Sequence, residues 1–216
     1  MLVIAKEPVP GRVKTRLVPP CTPRQAAALA EAALADTLQT VLAAPARRRV
    51  LVLDGEPGPW LPPGFDIMPQ CGGGLDERLA GAFAAVGGPA LLIGMDTPQL
   101  TPGLLAVDWE VADAWFGPAA DGGFWGLGLR IPDAALVRGV PMSAADTGAV
   151  QRARLHAAGL RVAELPRLRD VDTAADAVAV ARQAPLSRFA ARARELAPVL
   201  GLADPARPVG AVRELA

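Results

Sequence analysis

The chain is expected to fold as a single α/β domain with a mostly parallel central sheet flanked by helices, and three observations carry that expectation. Apolar runs of strand length recur at Met1–Ala5, Val50–Leu53 and Ala90–Ile93. Longer stretches with helical periodicity separate them, the clearest being residues 24–43 and 75–86. The first run opens directly into a loop with two Pro, one Gly and four cations, Lys6-Glu7-Pro8-Val9-Pro10-Gly11-Arg12-Val13-Lys14-Thr15-Arg16. Open α/β sheets hold their ligands at such C-terminal strand ends.

The remaining elements follow in order. Thr22 can cap the first helix, with Pro23 at its first position and Leu29, Ala33, Leu34, Leu38, Val41 and Leu42 as its apolar stripe. Residues 55–64 are Pro- and Gly-rich loop, and Phe65–Met68 is a further short strand. Gly72-Gly73-Gly74 precedes a helix at Leu75–Val86 with Leu75, Leu79, Ala82, Phe83 and Val86 inward. Ala90–Gly94, continuously apolar, is the candidate central parallel strand. Thr101 and Pro102 start a helix reaching about Val107 or Trp109. Strands at 114–118 and 124–129 leave the core around the turn Ala119-Ala120-Asp121-Gly122-Gly123. Helices are expected at 132–137, 144–158, 174–183 and 187–196, with a strand at 160–165. Residues 1–184 read as one α/β domain, and 185–216 as a peripheral C-terminal helix and tail.

Composition narrows the function classes. The chain of 216 residues balances 22 Lys+Arg against 22 Asp+Glu, which argues against a nucleic-acid-binding face. Two cysteines, Cys21 and Cys71, with no CxxC pair, support neither a disulfide scaffold nor a structural zinc site. No apolar run reaches transmembrane length, so neither a membrane nor an export segment is expected and the cytoplasm is the default location. GxGxxG, GxxxxGK[ST] and GxSxG are all absent. The lone His156, in an Ala- and Arg-rich helix, has no pattern around it that completes a metal site.

What remains is phosphate and metal chemistry. Lys6 and Lys14 are the only lysines, and both lie in the first loop. A compact ammonium on a flexible stem suits a phosphate that changes position during a reaction. Asp96, just past the strongest strand, is placed to hold a hard divalent cation. Asp121 can bind a substrate hydroxyl or cation, or simply pin its turn, while Gly122 and Gly123 leave room for a substrate against the backbone. Phe124 and Trp125 are near enough to line a pocket. Of Asp170 and Asp172, Asp172 is the better second metal ligand and Asp170 the better structural residue.

Four segments in this order carry a resemblance: Ala5–Leu17, Gly94-Met95-Asp96-Thr97-Pro98, Pro118–Phe124 and Asp170-Val171-Asp172-Thr173. Over roughly residues 1–184 the chain resembles DUF2064, also called transferase 1, rSAM/selenodomain-associated. That family belongs to the nucleotide-diphospho-sugar transferase superfamily with the GT-A fold. The basic loop is also similar to that of 2-phospholactate guanylyltransferases, and the overall plan to the molybdenum-cofactor nucleotidyltransferases. The resemblance implies a single-domain GT-A-like fold, with residues 1–184 as its nucleotide-binding transferase domain. It implies nucleotide contacts at Ala5, Lys6, Gly11, Lys14, Arg16, Gly73 and Gly74, with Lys14 and Arg16 on the phosphates. It implies Mg²⁺ (or Mn²⁺) on Asp96 and Asp172, and an acceptor side at Gly122, Gly123, Phe124 and Ser143. Two departures stand out: Gly73-Gly74-Leu75-Asp76 replaces the family's Gly-Asp-Leu-Gly, and Met142-Ser143-Ala144 replaces its Trp-Ser-Thr.

The expected activity is Mg²⁺-dependent nucleotidyl transfer from an NTP to a phosphorylated small molecule, with Lys14, Arg16, Asp96 and Asp121 as the catalytic set. Glycosyl transfer from an NDP-sugar, with Asp121 as base, uses the same site, and nucleotide binding without turnover is the third alternative. The expected partners are therefore a nucleotide and a small-molecule acceptor, with no nucleic acid and no membrane, in a monomer or homodimer.

Overall fold

The computed structural model describes residues 1–202. Among the described residues seven strands form one mixed sheet in the order β3-β2-β1-β4-β6-β5-β7. They are β1 (Leu2–Lys6), β2 (Val50–Asp54), β3 (Asp66–Pro69), β4 (Ala90–Ile93), β5 (Ala114–Pro118), β6 (Phe124–Leu129) and β7 (Val162–Glu164). The pairs β2–β3, β1–β2, β1–β4 and β5–β7 are parallel, and only β6 runs against its neighbours. The helices are α1 (Pro23–Ala43), α2 (Leu75–Ala84), α3 (Thr147–Ala157), α4 (Ala174–Gln183), α5 (Arg188–Glu195) and α6 (Ala197–Leu200).

The continuous apolar runs have a simple cause. Successive side chains on a strand point to opposite faces, and here both faces are covered. Val3, Ala5, Leu51, Leu53, Leu91 and Ile93 pack with Leu34, Leu38 and Val41 of α1. Leu2, Val50, Val52, Ala90 and Leu92 pack on the other side with Leu79 and Phe83 of α2 and Leu155 of α3. α1 opens with a capping box in which the Thr22 hydroxyl accepts from Gln25 N–H and the Gln25 side chain accepts from Thr22 N–H. Arg49 donates to the carbonyls of Val41, Leu42 and Ala44, closing the other end of α1 with a cation where the helix dipole favours one.

Several expectations need correction. β5 and β6 do not leave the core; they pair with each other, and β6 pairs with β4 inside the sheet. Only a 3₁₀ turn, Pro102–Leu105, forms where a longer helix is expected, and another, Ala134–Leu136, stands for the helix at 132–137. Leu75 is 45% exposed, because it sits on the first turn of α2 at the mouth of a cleft. α1 is, by length and mean hydropathy (1.2), apolar enough to cross a membrane. Half of that window is buried inside the domain, where Ala26, Leu29 and Ala33 meet α4 and α5. The segment from 185 is not peripheral as far as it is described. Phe189, Ala190 and Ala193 of α5 are fully buried against α1 and α4, a third core cluster. The expected tail at 203–216 lies outside the described residues.

Candidate functional site

A cleft of about 710 Å³ runs along the C-terminal ends of β1 and β4. Five cations and four carboxylates line it: Lys6, Arg12, Lys14, Arg16 and Arg78 against Asp96, Asp121, Asp170 and Asp172. The loop after β1 folds so that Lys14, with φ 49° and ψ 40°, begins a 3₁₀ turn at Thr15–Leu17. That left-handed backbone costs a non-glycine residue about 1 kcal/mol. It leaves the Lys14 side chain only 8% exposed, with its ammonium 2.7 Å from Asp96 Oδ2 and 3.1 Å from Asp172 Oδ1. Arg16 Nη1 holds the other oxygen of Asp172 at 2.9 Å.

The carboxylates come together because the segment after β7 crosses to the end of β4. Val171 N–H donates to the Asp96 carbonyl at 3.1 Å, and Val171 itself is buried. Asp170 and Asp172, on either side of it, both line the cleft. Thr173 then caps α4 in a reciprocal box with Asp176. One oxygen of Asp96 and one of Asp170, Oδ1 in each case, are buried without a protein partner. Burial first, then the negative charges of Asp96 and Asp121, push the Asp170 carboxyl up to about 7, against the pull of Lys14. The Lys14 pKa is raised as well, which favours its charged form. Burial favours loss of its proton, but Asp96 and Asp172 together outweigh that and hold its pKa above the ordinary lysine value.

The opposite wall is organised by Arg78, which sequence reasoning missed. Its Nε donates to the Gly73 carbonyl at 3.1 Å, and its Nη1 to Asp54 Oδ2 at 3.0 Å and Gln70 Oε1 at 3.2 Å. Gln70 Nε2 in turn donates to the carbonyls of Ala5 and Val52. One guanidinium thus ties the glycine loop to the ends of β1, β2 and β3. The available signal was a cation one turn into the helix that follows the glycines. Gly73 has φ +95°, and a Cβ there would collide with Glu77 Oε2, which accepts from Gly74 N–H to cap α2.

The structure brings most of the expected residues to this cleft. Ala5, Lys6, Lys14, Arg16, Gly73, Gly74, Asp96, Asp121, Asp172, Gly123, Phe124 and Ser143 all line it. Gly11 and Gly122 do not. Gly11 adopts φ +80° in the turn of the basic loop. Gly122 makes room for protein, because a Cβ there would collide with the Ala145 carbonyl oxygen. Asp121 does pin its turn, accepting from Gly123 N–H at 2.9 Å, while also lining the cleft. Asp172 has both oxygens engaged by cations, whereas Asp170, expected to be structural, has the unpartnered one. Asp76, at the first departure, accepts from Gly139 N–H and serves a turn outside the cleft. Ser143, at the second, takes φ 59° at the rim, and Thr147 Oγ1 donates to the Pro141 carbonyl and accepts from Ala144 N–H to close that loop.

The Asp96 and Asp170 oxygens are the donor type that hard divalent cations take. Among the described residues no group of three or more His, Cys, Asp or Glu is placed to hold a metal ion.

The sequence profile of a family described as an uncharacterized protein conserved in bacteria, DUF2064, matches residues 28–144. Among solved structures, a protein from Desulfovibrio desulfuricans G20, provisionally named a nucleotide-diphospho-sugar transferase, is 28% identical. The match covers 93% of this chain and 95% of that one with a TM-score of 0.82. A 2-C-methyl-D-erythritol 4-phosphate cytidylyltransferase from Thermus thermophilus is 18% identical over 86% of this chain and 98% of that one, with a TM-score of 0.51. A CMP:2-keto-3-deoxy-manno-octonic acid synthetase complexed with CTP is 13% identical over 90% and 98%, with a TM-score of 0.53. These last two share the fold, which is the expected GT-A-like one. No protein of curated function matches the sequence.

Proposed function

The chain belongs to the DUF2064 family, within the nucleotide-diphospho-sugar transferase superfamily, and from that premise we propose that it is a metal-dependent nucleotidyltransferase. In this reading it moves a nucleotidyl group from an NTP to a phosphorylated small molecule. The observation that carries the reading is the charge arrangement of the cleft. Lys6, Arg12, Lys14 and Arg16 face a second group in which Asp96 and Asp170 each keep a buried oxygen without a partner. A polyphosphate with its divalent cation supplies the complement to both.

Asp96 and Asp170 would hold Mg²⁺ or Mn²⁺, and the bound ion would supply charge neutralisation on the phosphates. Asp172 serves as the anchor that orients Lys14 and Arg16. The loop cations bind and neutralise the phosphate oxygens. The Gly73–Gly74 backbone, held by Arg78, borders the nucleotide on the other side. An acceptor phosphate oxygen entering beside Gly123, Phe124 and Ser143 bonds to the α-phosphorus as the α–β bridging bond breaks and pyrophosphate leaves with that electron pair. No protein nucleophile is required, since positioning and electrostatics account for the rate.

A second reading, glycosyl transfer from an NDP-sugar, is supported by the name given to the Desulfovibrio protein and by Asp121, whose carboxylate lines the cleft. A thermal-shift panel of NTPs and NDP-sugars, with and without Mg²⁺, separates the two. Nucleotidyl transfer predicts an Mg²⁺-dependent shift with an NTP, followed by exchange of labelled pyrophosphate into it. A shift with NDP-sugars alone supports the second reading, and no Mg²⁺-dependent shift with any nucleotide would overturn both.

A further inference from the structure

We propose that Lys14 is a built-in competitor of the metal: its ammonium occupies the Asp96 carboxylate until a polyphosphate draws it away, so that the divalent cation binds together with the nucleotide rather than before it. This rests on the assignment of the metal to Asp96 and Asp170 made above, and adds the order of binding.

The geometry is that of a cation already seated in an anionic site. Lys14 Nζ lies 2.7 Å from Asp96 Oδ2 and 3.1 Å from Asp172 Oδ1, with its side chain 8% exposed. The partnerless oxygen of Asp96 belongs to the same carboxylate that Lys14 neutralises. A dication arriving at that oxygen meets a positive charge on the far side of one carboxylate, and buried charges so close are poorly screened. The left-handed backbone at Lys14 folds the loop so that this side chain turns inward rather than into solvent.

Release needs only local motion. The lysine stem is flexible, and an ammonium has three donors that a phosphate can accept. Asp172 keeps its second contact to Arg16, so the end of the loop stays anchored while Lys14 exchanges a carboxylate for a phosphate. Nucleotide and metal then favour each other's binding, and the coupling is reciprocal. A ligand without phosphates cannot draw Lys14 away and would leave the metal site weak.

The test uses Mn²⁺ alone, with no nucleotide, and follows free Mn²⁺ by electron paramagnetic resonance. The full-length wild type is compared with Lys14→Met and Lys14→Arg, each with and without Asp170→Asn. Lys14→Met is expected to bind Mn²⁺ more tightly than the wild type by roughly 5–150-fold, the usual range for coupled sites. Lys14→Arg, which keeps the charge, should stay near the wild type, and Asp170→Asn should remove the gain. If Lys14→Met binds no more tightly while Asp170→Asn still weakens binding, the metal site stands and the competition is wrong. If Asp170→Asn changes nothing, or no protein binds Mn²⁺, the metal assignment falls and this inference with it. Lys14→Gln replaces Lys14→Met should the latter fail to melt cooperatively.

Discussion

The two walls of the cleft are built on different principles. The wall over β1, β2 and β3 is local in sequence: the loop after β1 supplies Lys6 and Arg12, one guanidinium, Arg78, fixes the glycine loop beside it, and Lys14 and Arg16 of the same loop reach across to the carboxylates. The wall over β4 and β6 is assembled from distant segments. Asp96 follows β4, Asp121 sits between β5 and β6, and Asp170 and Asp172 arrive after β7. The loop cations are spread and partly solvated, Arg12 and Arg16 being 61% and 69% exposed. The carboxylate wall gathers like charges, with one oxygen of Asp96 and one of Asp170 buried and unpartnered and the Asp170 carboxyl pushed up to about 7, while the Asp96 and Asp172 side chains stay 36% and 31% exposed. One wall is suited to attract a polyanion; the other holds electrostatic strain that a cation relieves.

The largest effect should come from the strained wall. Asp96→Asn is expected to lower metal-dependent nucleotide affinity by about a hundredfold or more, since a bound metal is worth several kcal/mol of charge stabilisation. Titration calorimetry with and without Mg²⁺ measures this, and unchanged affinity would remove the contrast between the walls.

Next in size is a pH effect confined to the same wall. Metal ligation needs Asp170 ionised, so Mn²⁺ affinity should rise about tenfold per pH unit below 7 and level off above it, and Asp170→Asn should flatten the profile. The fold itself responds in the opposite sense. With the native pKa raised from 3.8, the neutral carboxyl is favoured, so this group's stability contribution is complete below pH 3.8 and is lost as pH climbs to about 7. Thermal melts without metal should follow that trend in the wild type more than in Asp170→Asn.

On the cationic wall, Arg78→Met removes the hydrogen bonds to Asp54 Oδ2 and to the Gln70 side-chain oxygen and frees the Gly73 loop, leaving Asp54 only its 3.9 Å contact with Arg12. A cost of about 1–3 kcal/mol in urea unfolding is expected, together with weaker nucleotide binding at any metal concentration. The smallest effect expected is at Thr173→Ala, which removes the cap of α4 beneath the carboxylates and should cost about 1 kcal/mol.

How far the sequence discloses this molecule depends on the range of the interaction involved. The parallel strands declare themselves because burial on both faces leaves no polar residue in Leu91-Leu92-Ile93. The basic loop declares itself because its charges are contiguous. The sequence favours Asp172 over Asp170 as the metal ligand; the contacts that set the two apart, Lys14 and Arg16 on Asp172, join residues far apart in the chain. Gly122 reads as open space for a ligand until the approach to α3 is seen packed against it. The amphipathic helix α5 looks terminal in sequence, yet Asp36 on α1 accepts from the N–H groups of Arg188 and Phe189 and fixes it to the core. The GT-A-like fold and the site of the cleft were thus legible, whereas the division of labour among its carboxylates required their partners in space.

In the proposed function Asp96 and Asp170 hold the metal while Asp172 holds the loop cations. Anomalous diffraction from a crystal soaked in Mn²⁺ together with the NTP that shifts the melting temperature most tests it directly. The predicted result is one peak in contact with a carboxylate oxygen of both Asp96 and Asp170. A peak bridging Asp96 and Asp172, with Asp170 uninvolved, would contradict it.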